Sequence, residues 1–432
     1  MSRITSVRGR RVWDSRGVPT VEAEITLETG QTGRAIAPSG ASRGTREALE
    51  LRDGGTALGG KNVSQAVAHV NGPLAEALIG LEATRQEAVD EALLALDSSV
   101  LKDRMGGNAL VAVSLAALHA GAAAKAIPVW RHISALYDTT PSLPLPEIQI
   151  FGGGAHAGRR VDIQDFMIMV PGASSFDEVM AVTREVYFAA GDIMAARGKA
   201  AGIADEGGWW PLFDSNEEAL ETLTLAIEKA GERPGKNVVI SLDIAASEFR
   251  DKDGYRLALE DRELSSDALI DLLGHWLDAY PIVSIEDPLA EDDKAGMIEF
   301  TKRFSGQIQI IGDDYLVTND ALVRQAVTDK AANAVLIKVN QIGTVSEAVR
   351  TFGVANQAGW QSVVSARSGE TEDASISHLA VGLGAGQLKV GSFQRSERMV
   401  KWNECLRIQD QLGADKFVAG APLKHTWWGR PR

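Results

Sequence analysis

The chain has a single cysteine, Cys405, in 432 residues. That excludes an intramolecular disulfide framework and suits a reducing compartment, so a cytoplasmic setting is expected. Basic residues are in deficit, 44 Lys and Arg against 58 Asp and Glu, for a formal charge of −14. Such a surface does not fit nucleic acid or an anionic membrane as partner. Long hydrophobic runs are also missing. The longest apolar stretch, Ala109 to Ala126, is rich in Ala and Gly and carries Ser114 and His119. It reads as a packed helix, not a membrane span. The start, MSRITSVRGRRVWDSRG, has basic residues with no apolar core after them, so no signal peptide is expected. No Walker A motif and no G-x-G-x-x-G after an early strand is present, which disfavours a dinucleotide-dependent oxidoreductase.

What the chain does contain is a regular beat. Short apolar segments recur through its last two thirds, each ending in a polar or charged residue: VVISLD at Asp243, YPIVSIE at Glu286, IQIIGD at Asp313, NAVLIK at Lys338, SVVS at Ser365 and GQLK at Lys389. After a longer first gap the spacing is about 25 residues, the length of one strand, one helix and two loops. Buried parallel strands read as continuous Val/Ile/Leu runs, and the residue past each run sits at the strand's carboxyl end. In a (β/α) barrel those ends converge on the face where active sites are built. One such residue could simply cap a helix or satisfy a turn. Three acids and two lysines together point to a metal-centred catalytic site.

The length suits a barrel of about 250 to 300 residues plus a smaller domain. PTVEAEITLETGQTGRAIAP reads as two strands around a glycine turn, and segments such as TRQEAVDEALLALD as amphipathic helices. DTTPSLPLPEIQI reads as a proline-rich linker. The expected organisation is an N-terminal α+β capping domain, residues 1–138, followed by a C-terminal α/β (β/α)8 barrel, residues 139–432. Two glycine-rich loops, Pro38–Gly44 and Gly152–Arg159, let backbone approach a ligand closely, although glycine loops alone are usually tight turns.

The segments WDSRGVPTVE, SGASRG, EALELRDG, HAG, DEGG, LDIAASEF, SIEDP, GDDYLVTN, LIKVNQIGTV, SGETED and RSER, taken in this order, resemble the enolase family over nearly the whole chain. The resemblance implies a Mg2+-dependent enzyme with two ions per site. Asp243, Glu286 and Asp313 would hold the first ion as hard oxygen ligands, and Ser42, in a mobile cap loop, the second. Lys338 would be the general base that removes the proton α to the substrate carboxylate, as a Lys or His does with Mg2+ throughout the enolase superfamily. Lys389 would stabilise the developing charge. Glu206 would be the general acid on the leaving hydroxyl, with Asp165 beside it. Arg367 and Ser368 would clamp the phosphate, while His156 and Gln164 complete the pocket. Without the family context, His156 among glycines reads first as a satisfied buried histidine, and Gln164 has the alternative of bonding strand backbone. The implied partner is a small phosphorylated carboxylate of the 2-phosphoglycerate or phosphoenolpyruvate type, and self-association as a homodimer or homo-octamer is expected.

The chain departs from the enolase pattern around the leaving group. Ala366 stands where enolases have His, Asp165 where they have Glu, Gly152 where they have Asn, and Arg43 closes a loop that usually reads SGAST. Trp209 and Trp210 replace Phe and Ala, and VGSFQRSER replaces a TGAP-type turn. Ala cannot move a proton, and Asp is one methylene shorter than Glu. These changes suggest a paralogue resembling the carboxyphosphonoenolpyruvate synthases of phosphonate biosynthesis, which join an enolase-type substrate to a cytidylyl-activated phosphonate. Arg43 would then supply charge, and Trp209 or Trp210 would stack the base. The alternatives are an ordinary enolase of glycolysis and a catalytically silent, enolase-like binding protein. A silent protein has no chemical reason to keep the acids and Lys338.

Overall fold

The computed structural model describes residues 2–252 and 254–430. The chain opens with three antiparallel strands, β1 (Ile4–Trp13), β2 (Pro19–Leu27) and β3 (Thr32–Ile36), paired in that order. The sequence reading found two of these strands. It missed β1, whose arginines lie mostly on its exposed or half-exposed side, leaving little apolar alternation to read. The apolar helix Gly107–Ala124 has the length and composition of a membrane span, yet it is buried within the cap. It lies against β3 almost backbone to backbone: a Cβ on Gly33 would stand 2.1 Å from the backbone nitrogen of Ala120. Any side chain at position 33 would push helix and sheet apart.

The second layer is a closed barrel of β4 (Leu145–Gly152), β5 (Asp165–Met169), β6 (Val239–Asp243), β7 (Ile282–Glu286), β8 (Gln309–Gly312), β9 (Ala334–Ile337), β10 (Gln361–Ser365) and β11 (Gly386–Gly391). The strands pair in sequence, and β11 pairs back with β4. Two details correct the sequence reading. The proline-rich segment expected as linker is linker only in its first half, because from Leu145 onward it is the fully buried first barrel strand. Nor is the barrel parallel throughout: the strands of the beat, β6 to β11, are parallel, but β5, which lies before them, runs antiparallel to both β4 and β6. Only a short helical turn, Gly154–Ala157, lies between β4 and β5. Without a crossover helix the chain turns back on its neighbour instead of entering the sheet in parallel.

The barrel interior beneath the carboxyl ends is polar. Glu147 accepts from the Ser241 hydroxyl, Ser284 Oγ lies 3.2 Å from Gln309 Oε1, and Gln309 Nε2 donates to Gln387 Oε1 at 2.7 Å. Buried polar groups are tolerable when they satisfy one another in this way.

Candidate active site

Asp243 and Glu286 are the last residues of β6 and β7, Asp313 and Lys338 follow β8 and β9 directly, and Lys389 lies within β11. The parallel strands deliver all of them to one end of the barrel. Asp165 is the first residue of the reversed β5, so it reaches the same end from the opposite direction. Ser42, His156, Gln164, Asp165, Glu206, Asp243, Lys338, Arg367, Ser368 and Lys389 all line a single pocket between cap and barrel. Glu286 and Asp313 lie just behind this lining, each paired with one of the lysines.

The lysines and acids form two linked sets. Lys389 Nζ is 2.8 Å from Asp243 Oδ2, 2.8 Å from Glu286 Oε2 and 3.5 Å from Asp165 Oδ2. Lys338 Nζ is 2.5 Å from Asp313 Oδ2. Burial works against both ammonium charges, but the acids outweigh it: Asp313 holds Lys338 above its ordinary value, and Asp243 and Glu286 hold Lys389 well above. Burial also pushes the Glu286 carboxyl well above the usual range, and the neighbouring Asp243 charge adds to this.

The donor set fits a divalent cation. Glu286 is fully buried, and its Oε1 has no hydrogen-bond partner. Asp243, Glu286 and Asp313 offer hard carboxylate oxygens at adjacent strand ends, which crowd one another unless positive charge is shared among them. Among the described residues, the groups whose possible ligand atoms lie within 4.8 Å of one another are His156–Asp165–Glu206 and Asp287–Asp313–Asp314, so of the expected triad only Asp313 belongs to one. Asp287 accepts the backbone N–H groups of Asp313 and Asp314 at 2.9 and 2.7 Å, so it shapes that loop. A cation held by Asp313 would compete with Lys338 for that carboxylate.

On the other side of the pocket, His156 Nδ1 is 3.5 Å from Asp165 Oδ1 and its Nε2 is 3.8 Å from Glu206 Oε1. Burial lowers the imidazole's pKa, but Glu206 and Asp165 overcome this and raise it to about 8. Gln149, which the sequence reading did not single out, orders this group. Its Oε1 accepts the Gly208 N–H at 3.0 Å, so its amide nitrogen must face Asp165 and, at 3.5 Å, Glu206. Gln164 donates to Asp243 Oδ2 at 2.9 Å.

Arg367 and Ser368 are tied to the cap. Arg367 Nη1 donates to Glu47 Oε2 at 2.9 Å and Asn340 Oδ1 at 3.1 Å, and Nη2 donates to the Ser42 carbonyl at 3.0 Å. The Ser368 hydroxyl accepts the Ala41 N–H at 2.8 Å and Arg16 Nη1 at 3.1 Å. From behind, the fully buried Arg398 grips the carbonyls of Arg367, Ser368 and Val390. Glu47 and Arg398 lie in EALELRDG and RSER, segments whose resemblance was noted without roles for these residues.

Three residues expected near a second substrate are placed elsewhere. Arg43 does not line the pocket; it reaches the Ala48 carbonyl at 3.3 Å and Glu47 at 4.0 Å. Trp209 stacks on Tyr187 with centroids 5.1 Å apart and donates to the Tyr187 carbonyl at 2.9 Å. Trp210 packs over Gly158, where a Cβ would stand 2.9 Å from its ring. Gly152 leaves no space for a larger residue, since a Cβ there would be 2.7 Å from that of Ala204. Ala366 does line the pocket, presenting a methyl group.

A capped barrel with buried acids and two lysines at its strand ends defines an enzyme of the enolase superfamily. Residues 4–133 match the model for the enolase N-terminal domain, and residues 140–426 match that for the enolase C-terminal TIM barrel domain. The chain belongs to the enolase family.

Proposed function

We propose that the protein removes the α-proton of a small phosphorylated carboxylate of the 2-phosphoglycerate type, with Mg2+ as its metal. The observation that carries this reading is the placement of base and acid. Lys338 follows β9, whereas Asp165 begins β5, four strands away in an eight-strand barrel and so on the opposite wall. A substrate between them is flanked by a lysine on one face and by Asp165, Glu206 and His156 on the other, as proton removal and leaving-group protonation require.

Held by Asp243, Glu286 and Asp313, the metal would supply positive charge to the substrate carboxylate and acidify the adjacent C–H. Lys338 takes the proton. Lys389, kept charged by its three carboxylate neighbours, faces the charge that develops. Arg367 offers a planar fork to the phosphate, and Glu206 stands where a leaving hydroxyl takes up its proton.

The finer reading is that the leaving-group side is specialised. Its support is Ala366, a methyl in the pocket wall where the family pattern has an imidazole, together with the shorter Asp165. Arg43, Trp209 and Trp210 give no support to a bound cytidylyl group, so the carboxyphosphonoenolpyruvate synthase-type reaction rests on the pocket wall alone. Ordinary dehydration to phosphoenolpyruvate is favoured by a different observation, the retained pairing of Glu206 with His156. Proton and phosphorus NMR of the protein with 2-phosphoglycerate and Mg2+ in D2O separates the two. Rapid conversion to phosphoenolpyruvate identifies a dehydratase, and α-deuteration without conversion identifies a modified reaction.

A further inference from the structure

Glu47 belongs to the cap, yet its carboxylate is 98% buried inside the site, with side-chain exposure of 2%. Three groups make four hydrogen bonds there. Arg367 donates to Oε2 at 2.9 Å and to Oε1 at 3.3 Å, the Gly44 N–H donates to Oε1 at 3.2 Å, and Gln341 Nε2 donates to Oε1 at 3.1 Å. The same Gln341 nitrogen donates to Asp313 Oδ1 at 2.8 Å, and Asp313 Oδ2 pairs with Lys338 at 2.5 Å. The amide of Gln341 has only one orientation open to it, because its nitrogen faces two carboxylate oxygens, which can only accept, while its oxygen accepts the Thr318 hydroxyl at 2.6 Å. One cap carboxylate therefore touches the arginine directly and reaches Asp313, and through it Lys338, by a single side chain.

We propose that Glu47 is a positioning residue that couples docking of the cap loop to assembly of the site. When the loop is seated, Glu47 holds the Arg367 fork and the Gln341–Asp313 pair in register. The inference rests on the reading that a substrate phosphate meets Arg367. It adds a competition, because the phosphate and the Glu47 carboxylate seek the same N–H groups. Glu47 lowers affinity for the anion while fixing the geometry in which the anion is useful. Such a residue separates binding from turnover.

The experiment compares Glu47→Gln and Glu47→Asp in the full-length protein. Inorganic phosphate binding is measured by isothermal titration, α-proton exchange of 2-phosphoglycerate by NMR, and folding by thermal unfolding. Glu47→Gln removes the competing charge, so phosphate binds about fivefold more tightly or better, while exchange slows at least about tenfold through lost orientation. Glu47→Asp keeps the charge but not the reach, so phosphate affinity stays at the wild-type value while exchange slows. A structural role alone would lower the unfolding temperature in both variants and leave the folded fraction with wild-type affinity and exchange, which overturns the proposal. Arg367→Ala is the control. Loss of phosphate binding in that variant, with no change in Glu47→Gln, overturns the role of Glu47 and leaves the phosphate reading intact. Unchanged binding in Arg367→Ala removes the phosphate reading and this inference with it.

Discussion

Asp165 and Asp243 are direct register partners across two antiparallel strands, one the first residue of β5 and the other the last of β6. The reversal places two carboxylates from opposite chain directions on one floor, and Lys389 lies 3.5 Å from the first and 2.8 Å from the second. A single lysine thus links the two acidic halves of the site.

His156 reports on the acid side. Its pKa is raised from 6.5 to about 8 despite burial, through Glu206 and Asp165. Because the folded value exceeds the unfolded one, the stability it contributes is complete below pH 6.5 and is lost as pH rises through about 8. NMR titration of the imidazole should show a midpoint near 8, and Asp165→Asn should move that midpoint down. An unmoved midpoint would show that Asp165 does not hold the proton.

Glu286 reports on the metal side. Its Oε2 pairs with the buried Lys389 Nζ at 2.8 Å, so Glu286→Gln should destabilise the metal-free protein. The same variant should lose most of the rise in unfolding temperature that Mg2+ gives the wild type. Thermal unfolding with and without MgCl2 measures both effects.

Trp209 is expected to act through packing. Trp209→Phe loses the hydrogen bond to the Tyr187 carbonyl and part of the stack, at a cost of about 1–3 kcal/mol in denaturant unfolding. Affinity for a cytidine nucleotide should not change. A large drop in that affinity would return Trp209 to the binding surface.

Ala366→His tests the pocket wall. If the missing imidazole limits dehydration, the variant should form phosphoenolpyruvate from 2-phosphoglycerate at least about a hundredfold faster, the usual worth of a placed proton-transfer group. No gain would put the limit at Asp165 or in the wider pocket.

The residues legible in the sequence were those whose chemistry and strand position coincide. Asp243, Glu286, Asp313, Lys338 and Lys389 end apolar runs or lie near their ends, and that pattern survives without coordinates. Gln149 and Glu147 were hidden because they sit inside a strand that reads as the tail of a proline-rich linker. Glu47 was hidden for another reason: its partners Arg367 and Gln341 are about 300 residues away in sequence, at distances no local pattern encodes. Arg43 and the Trp pair were misplaced because charge and aromatic area say nothing about direction. Arg43 turns into its own loop, and Trp209 turns onto the helix that carries Tyr187.

The most direct test is NMR-detected exchange of the 2-phosphoglycerate α-proton in D2O with Mg2+, for the wild type and Lys338→Ala. The wild type should exchange the proton. Lys338→Ala should not, while still binding Mg2+ through Asp243, Glu286 and Asp313. Exchange that persists in Lys338→Ala, or that never occurs in the wild type, would contradict the assignment of Lys338 as the base.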